Sequence, residues 1–451
     1  MFELDVNFES GLSIFPGPMS ISGIFRVKLG GKDGWLDVSQ GEKRMLIDGE
    51  LVPADSGRTF ENVNPATEEV LGDVSDAAAA DMHRAIDAAR RAFDETDWST
   101  NHAFGQRCLE QLQESLEGER EQLREELILE VGCPRMITNG PQLDWPLQDA
   151  IRWPAKHIDQ YPWVTTMPDA IDPMGSGGSN IRQVWKEPVG VVGAITPWNF
   201  PIEVILNKVG QALATGNTMV LKPAPDTPWN ATRLGRLVAE HTDIPAGVLN
   251  VVTSSDHLVG EELTLSPKVD LISFTGSTAV GQRIMEKGAA TMKRLFLELG
   301  GKSATVVLDD ADFGSALLAG LGVCYHAGQG CAIQTRMLLP RSRYTEGVEM
   351  LKAMFPTIPY GDPQRPDVIM GPLVSAKQRD RVLRLRRSWG RRGSGARRRR
   401  QAPRAPSQRM VCRADAVHRR HQLDDHRAGG DLRAGARRDC LRGRRRGADS
   451  E

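Results

Sequence analysis

Val189-Gly190-Val191-Val192-Gly193-Ala194-Ile195-Thr196, followed by Pro197-Trp198-Asn199-Phe200-Pro201, is the stretch that decides the fold. An unbroken run of small and β-branched apolar residues, stopped by two prolines, reads as a strand buried on both faces. The next segments repeat the theme. Ile202–Thr215 has helical spacing and Thr218–Lys222 is again a strand. Thr227–Thr242 is a helix with a proline in its first turn. Leu249–Val252 and Asp270–Phe274 are strands on either side of a helix at Leu258–Leu265. This β-α-β rhythm predicts an α/β protein with a doubly wound parallel sheet. Such sheets take ligands at the carboxyl ends of their strands.

Working outward toward the amino terminus, Met45–Val52 reads as a hairpin with Asp48-Gly49 in its tight turn. Residues 76–93 have helical spacing from an Asp cap, and 104–132 form a second helical stretch with Leu109, Leu112, Leu116, Leu123 and Leu127 on one side. The glutamates of that stretch read as a solvated face. Trp145, Trp153 and Trp163 are expected to pack against neighbouring helices, and Asp172–Ser179 is a glycine-rich turn.

Composition bounds the function. The chain has 451 residues, 40% of them apolar and 25% charged, the profile of a globular protein of two to three domains. Its apolar runs are too short to cross a bilayer, so no membrane partner is expected. Six cysteines at irregular spacing exclude a disulfide framework and include no CxxC pair, so no metal site is expected and a cytoplasmic location is the default. The net charge of −1 conceals a split. Residues 384–451 carry 22 Arg, no Lys and 7 acidic residues, a balance of +15; the first 383 hold 35 basic and 51 acidic side chains, a balance of −16.

Four segments are candidates for chemistry. Asn199, pinned between prolines at a strand end, offers an amide donor to a developing oxyanion. Lys222, in Leu221-Lys222-Pro223-Ala224, offers a point charge to a ribose hydroxyl or a phosphate. Phe274-Thr275-Gly276-Ser277-Thr278 precedes a helix whose first N–H groups suit an anion, although no GxGxxG fingerprint is present. Finally, Glu298 in Leu297-Glu298-Leu299-Gly300-Gly301-Lys302 pairs with Cys331 in Gly328-Gln329-Gly330-Cys331. A cysteine among glycines is accessible, as a nucleophile must be, whereas Cys324, Cys108 and Cys133 fit inert core positions.

The order Thr-Pro-Trp-Asn-Phe-Pro, Lys-Pro-Ala, Phe-Thr-Gly-Ser-Thr, Leu-Glu-Leu-Gly-Gly-Lys, Gly-Gln-x-Cys resembles the aldehyde dehydrogenase superfamily over residues 45–383, with Asn64-Pro65-Ala66-Thr67 and Met370-Gly371-Pro372-Leu373 adding to the match. The resemblance implies an NAD-dependent oxidation of a small-molecule aldehyde, with NADP the alternative cofactor. Cys331 would attack the aldehyde carbon, Asn199 and the Cys331 N–H would hold the oxyanion, and a thioester would form on hydride loss. Glu298 would activate the water that hydrolyses it. Ile195, Thr196, Pro197 and Trp198 would line the nicotinamide side, Lys222 the adenosine ribose, and Ser277 with the following helix the pyrophosphate; Gly260, Phe274, Thr275, Gly276 and Leu299 complete the cofactor set. The resemblance also implies a homo-oligomer.

Three departures stand out. Many relatives have Glu after Lys-Pro-Ala, where this chain has Pro225 and then Asp226; that weakens discrimination against NADP, with NAD still expected to be preferred. Asp256 or a neighbour replaces a glycine common before Gly260. His326 stands where Asn is frequent and is expected to be packed or solvated.

The resemblance divides the chain into an extension at 1–44, an NAD-binding domain at 45–298 with a bridging hairpin near 164–187, an incomplete α/β catalytic domain at 299–383, and a basic Arg-rich tail at 384–451 that is expected to be disordered. The tail has two readings: a polyanion-binding arm, or translation of a GC-rich gene in a shifted frame. Its 22 Arg with no Lys, against 13 Lys earlier, favour the frame shift, and no specific nucleic-acid partner is expected. On that reading the catalytic sheet lacks its last strands, oligomerisation is compromised, and the chain is expected to be poorly soluble with little or no activity. The alternative function is a catalytically dead remnant with a polyanion-binding tail.

Overall fold

The computed structural model describes residues 41–168 and 181–391. Among the described residues, thirteen strands follow in chain order: β1 (Met45–Ile47), β2 (Glu50–Val52), β3 (Thr59–Val63), β4 (Val70–Ser75), β5 (Val164–Thr166), β6 (Gln183–Trp185), β7 (Val191–Ile195), β8 (Thr218–Lys222), β9 (Leu249–Val251), β10 (Leu271–Gly276), β11 (Arg294–Leu299), β12 (Ala304–Val306) and β13 (Arg336–Leu338). Seven make one sheet in the order β11-β10-β7-β8-β9-β1-β2. Strands β7 to β11 are parallel and joined by helices, while β1 and β2 close one side antiparallel. The doubly wound α/β expectation therefore holds.

Local chemistry explains the parts that matter for the site. Ile47 pairs with Glu50 across a two-residue turn in which Asp48 and Gly49 have φ of +55° and +79°, the left-handed pair this hairpin needs. Strands β7 and β8 are buried almost throughout, as an unalternating apolar run requires. Helix Pro201–Ala214 starts at Pro201, whose fixed φ suits a first turn. Strand β11 alternates: Leu295, Leu297 and Leu299 pack inward, while Arg294, Phe296 and Glu298 face outward on the sheet's edge strand.

The core lies on both sides of this sheet. Leu109, Leu112, Leu116, Leu123 and Leu127 have no exposed surface, each contributing about 1.5–3 kcal/mol by burial. They sit on two helices, His102–Gly118 and Arg120–Val131, separated at Glu119, where the sequence suggests one stretch. Smaller apolar clusters gather Val307, Phe313, Leu317 and Leu351, and Cys324, Ile358 and Met370, around the two-stranded β12–β13 sheet and its helices. Gly132 ends helix Arg120–Val131 in a left-handed conformation, φ +68°, and a Cβ on Gly371 would lie 2.3 Å from its carbonyl oxygen. The Met370–Leu373 motif thus packs against that helix end.

Three expectations are corrected. The Glu-rich face is not wholly solvated: Glu126 and Glu130 are buried. Glu130 accepts from Asn62 and from the Trp229 N–H at the start of helix Trp229–His241, and Glu126 pairs with Arg233 of that helix. Burial and the neighbouring Glu126 push the Glu130 carboxyl up to about 8. Trp145 and Trp153 are 62% and 59% exposed instead of packed between helices, with Trp153 stacked on His157. Asp76 does not cap the first long helix, Ala79–Glu95; Asp81 does so by accepting from the Ala78 N–H, and Asp76 binds Ser254 and Ser255. The hairpin near 164–187 appears as antiparallel β5–β6. The turn at 172–179, residues 1–40 and residues 392–451 lie outside the described residues. The helix Ala376–Arg391 runs past residue 383, so the first residues of the tail expected to be disordered continue a helix.

Candidate active site

Ile195, Lys222, Phe274, Thr275, Gly276, Glu298 and Leu299 lie at the carboxyl ends of β7, β8, β10 and β11. Strand register sets their order: Ile195 pairs with Lys222 on one side and Phe274 on the other, and Thr275 pairs with Glu298. Asn199 leaves the end of β7 on the proline-bounded loop. Its side-chain Nδ2 donates to the Gln329 carbonyl at 2.7 Å, and its own carbonyl accepts from Gln142 Nε2 at 2.8 Å and His326 Nε2 at 3.0 Å. An amide has two N–H groups, so this arrangement fixes the side chain while leaving the second for a ligand.

The turn carrying Cys331 is built by an unusual backbone. His326, Ala327 and Gly328 have φ of +49°, +55° and +75° in succession. Non-glycine residues resist this region, so the turn is strained and is held by its contacts. Gln329 supplies them: its side chain donates to the His326 and Pro372 carbonyls, and its Oε1 accepts from the Val374 N–H at 3.0 Å. Gly330 closes on Ile333, where a Cβ would stand 2.7 Å from Cδ1. Cys331 emerges exposed from this frame, whereas Cys108, Cys133 and Cys324 are buried. Burial pushes the Cys108 and Cys324 thiols up to about 11 and Cys133 well above its usual range.

His326 is packed. It is 1% exposed and meets Phe200 edge-on; its Nε2 proton goes to Asn199, and its Nδ1 is buried without a hydrogen bond. Burial lowers its pKa to about 4. Because the folded value lies below the usual 6.5, the stabilisation is intact above pH 6.5 and drains as pH falls toward 4, on the order of 3 kcal/mol in all. We expect the midpoint of thermal unfolding to fall between pH 6.5 and 4 by clearly more in the native protein than in His326→Asn. Equal slopes would show that folding does not lower the pKa of this imidazole.

Glu298 is exposed on the outer face of β11 and makes no hydrogen bond to Cys331. Sequence reading missed its charged neighbour. Lys208 is 8% exposed, donates to Ser273 Oγ at 2.8 Å, and lies 5.8 Å from the Phe296 ring. Burial lowers its ammonium pKa to about 8, with the Glu298 and Glu203 carboxylates pulling the other way. The available signal was a lone lysine among the buried apolar positions Ile205, Leu206 and Val209 of its helix.

The cofactor candidates divide by role. Thr196 is buried with its hydroxyl unpaired, an orphan at a strand end. Lys222, buried with its ammonium lowered to about 8, donates to the Pro223 and Ser254 carbonyls. Gly260 lies against its stem, where a Cβ would come 2.9 Å from Lys222 Cδ. Ser277 caps helix Thr278–Gly288 by accepting from the Val280 N–H. Pro197 and Trp198 are half-buried and Leu299 packs under Gly281. Phe274 is buried beneath Gly276, so its side chain is covered; Gly276 itself, half-buried, offers its backbone. A cavity of about 560 Å³ lined by Trp185, Lys186, Asp270 and Arg294 opens at the amino ends of β10 and β11, the opposite end from these residues.

Comparison with known proteins bears on this arrangement. The profile of the Aldehyde dehydrogenase family matches residues 51–394. The chain is 39% identical over 348 residues to the putative aldehyde dehydrogenase DhaS of Bacillus subtilis (strain 168), covering 76% of this chain and 68% of that one. It is 37% identical to the NADP/NAD-dependent aldehyde dehydrogenase PuuC of Escherichia coli (strain K12), covering 76% and 68%. The NAD+ complex of an aldehyde dehydrogenase from Bacillus cereus superimposes with a TM-score of 0.72 at 36% identity, covering 78% of this chain and 70% of that one. No helix among the described residues is long and apolar enough to cross a membrane. With sequence and fold agreeing over three quarters of its length, the chain belongs to the aldehyde dehydrogenase family, oxidoreductases that convert aldehydes with NAD(P)+.

Proposed function

We propose that this protein is built to oxidise an aldehyde to a carboxylic acid through a thioester on Cys331. The observation that carries the reading is the 2.7 Å bond from Asn199 Nδ2 to the carbonyl of Gln329, which fixes an amide donor two residues from the thiol. In the proposed sequence the Cys331 thiol loses its proton to solvent, and the thiolate sulfur bonds to the aldehyde carbon as the C=O π bond opens. The carbonyl oxygen takes the negative charge and is held by the free Asn199 N–H and the Cys331 backbone N–H. When bound, NAD+ supplies the oxidation by accepting a hydride. Glu298 then takes a proton from water as its oxygen attacks the thioester, and the carboxylate product leaves with the Cys331 sulfur freed.

The residues present fit the cofactor. An orphaned Thr196 hydroxyl, a buried Lys222 ammonium, Gly260 and Gly276 free of Cβ atoms, and the Ser277 helix start gather at the strand ends. Together with Ile195, Pro197, Trp198, Thr275 and Leu299 these are the groups we assign to holding NAD; NADP is the second candidate. We assign 45–298 to cofactor binding and 299–383 to a partial catalytic domain, and read the Arg-rich stretch after 383 as the product of a shifted frame. Turnover by the chain as written is expected to be low, because β11 is an open edge and Phe296, Val306, Leu308 and Leu338 are exposed.

The test uses protein in excess over aldehyde, following NADH in the first turnover. Asn199→Ala should slow that step by about 10²–10³-fold, the usual loss for one oxyanion donor, without changing the labelling of Cys331. An unchanged rate would remove Asn199 from the mechanism. No NADH even from the native chain would favour the inactive remnant.

A further inference from the structure

We propose that Asp256 sets this protein's preference for NAD+ over NADP+, taking over a task that falls to no residue directly after Ala224. The inference rests on the reading that the adenosine ribose binds at Lys222. Pro225 stands where an acidic side chain would meet the ribose hydroxyls, and it brings neither charge nor N–H donor. Lys222 nevertheless sits in an acidic setting: Asp76, Asp256 and Asp226 are the carboxylates whose charge acts on its ammonium.

Two of the three are occupied elsewhere. Asp76 is 8% exposed, and its oxygens accept from Ser254 Oγ, Ser255 N and Ser255 Oγ at 2.9–3.3 Å, so it is sealed beneath the loop. Asp226 is half-buried and bound toward Ser375 and Lys377. Asp256 differs. Its side chain is 51% exposed, one oxygen caps helix His257–Leu265 by accepting from Leu258 N at 2.8 Å and lies 3.8 Å from the exposed His257 Nδ1, the other oxygen has no partner among the described residues, and its own N–H donates to Ser254 Oγ. Ser254 is also the residue whose carbonyl accepts from Lys222 Nζ at 3.0 Å, and Gly260, in the same helix, lies on the Lys222 stem. Asp256, Ser254, Lys222 and Gly260 are therefore linked by direct contacts, with one solvent-facing carboxylate among them.

That carboxylate distinguishes the two dinucleotides by charge. A ribose hydroxyl can donate to it, whereas a 2′-phosphate brings like charge to it, and like charges juxtaposed across an interface are strongly disfavoured. The preference must weaken with added salt, because the group is exposed.

The test measures dissociation constants of NAD+ and NADP+ for the full chain by quenching of protein fluorescence, with no turnover involved. Asp256→Asn keeps the helix cap, since Asn caps as well as Asp, and deletes only the charge. We expect the native chain to favour NAD+ by about ten- to hundredfold, and the variant to reduce that ratio about tenfold, mostly by tighter NADP+ binding. Asp226→Asn should leave the ratio unchanged. A ratio indifferent to Asp256→Asn, or moved equally by Asp226→Asn, overturns the proposal. Lys222→Ala separates the underlying reading: it should weaken both dinucleotides. If it does not, or if the native chain binds neither, the ribose reading fails and the proposal goes with it.

Discussion

Replacing Cys331 by alanine is expected to abolish aldehyde-dependent NADH formation in the first turnover, a loss of about four orders of magnitude or more, as removal of a covalent nucleophile ordinarily gives. The same change at Cys324 should leave the rate within about twofold, because that thiol is buried and packs among Ile358 and Met370. The contrast follows from solvation. Burial holds Cys108, Cys133 and Cys324 in the protonated form, and a thiol that keeps its proton neither attacks a carbonyl nor reacts with an alkylating agent. Brief iodoacetamide treatment, read by peptide mass spectrometry, should therefore mark Cys331 before Cys108, Cys133 and Cys324. NADH formation surviving in Cys331→Ala would end the thioester reading outright, whichever cysteine was labelled first.

What the sequence discloses about this protein is what its chain decides locally. Asp48-Gly49 accepts left-handed φ without help from elsewhere, and the hairpin forms as read. The apolar run through Val191–Ile195 needs two covered faces, and a parallel sheet is the arrangement that provides them. Strand register was legible too: it aligns Ile195 with Phe274 and Thr275 with Glu298, at the strand ends where the candidate residues Asn199 and Glu298 were sought. The failures share a cause. Glu130 is buried because the start of a helix some hundred residues later, at Trp229, needs a carboxylate, and nothing near Glu130 announces that partner. Lys208 reads as an ordinary helix residue until Ser273 and Glu298 come across to meet it. Trp145 and Trp153 carry apolar area that predicts burial, yet no described element covers them. His326 lies between these cases: its chemistry was visible as a departure, but its left-handed backbone and its bond to Asn199 belong to the folded loop.

Glu298→Gln is the second large effect, and its signature is a separation of two steps. Glutamine keeps the shape of the side chain at the edge of β11 but cannot take a proton from water. Hydrolysis of the thioester should therefore slow by about 10²–10⁴-fold, the range for losing a positioned general base. Attack by Cys331 does not need that base once the thiolate is present. Mixing the variant with NAD+ and aldehyde should then give close to one equivalent of NADH per active chain and little afterwards, with the acyl group retained on Cys331 in the intact mass. The charge around Lys208 changes as well. With Glu298 neutral, one of the two carboxylates that raise the ammonium's pKa is gone, and it should fall further below about 8. A variant that loses the first equivalent of NADH together with later turnover would move Glu298 to an earlier step, as the base that removes the thiol proton. A variant that turns over at the native rate would leave the carboxylate on β11 with no part in the reaction.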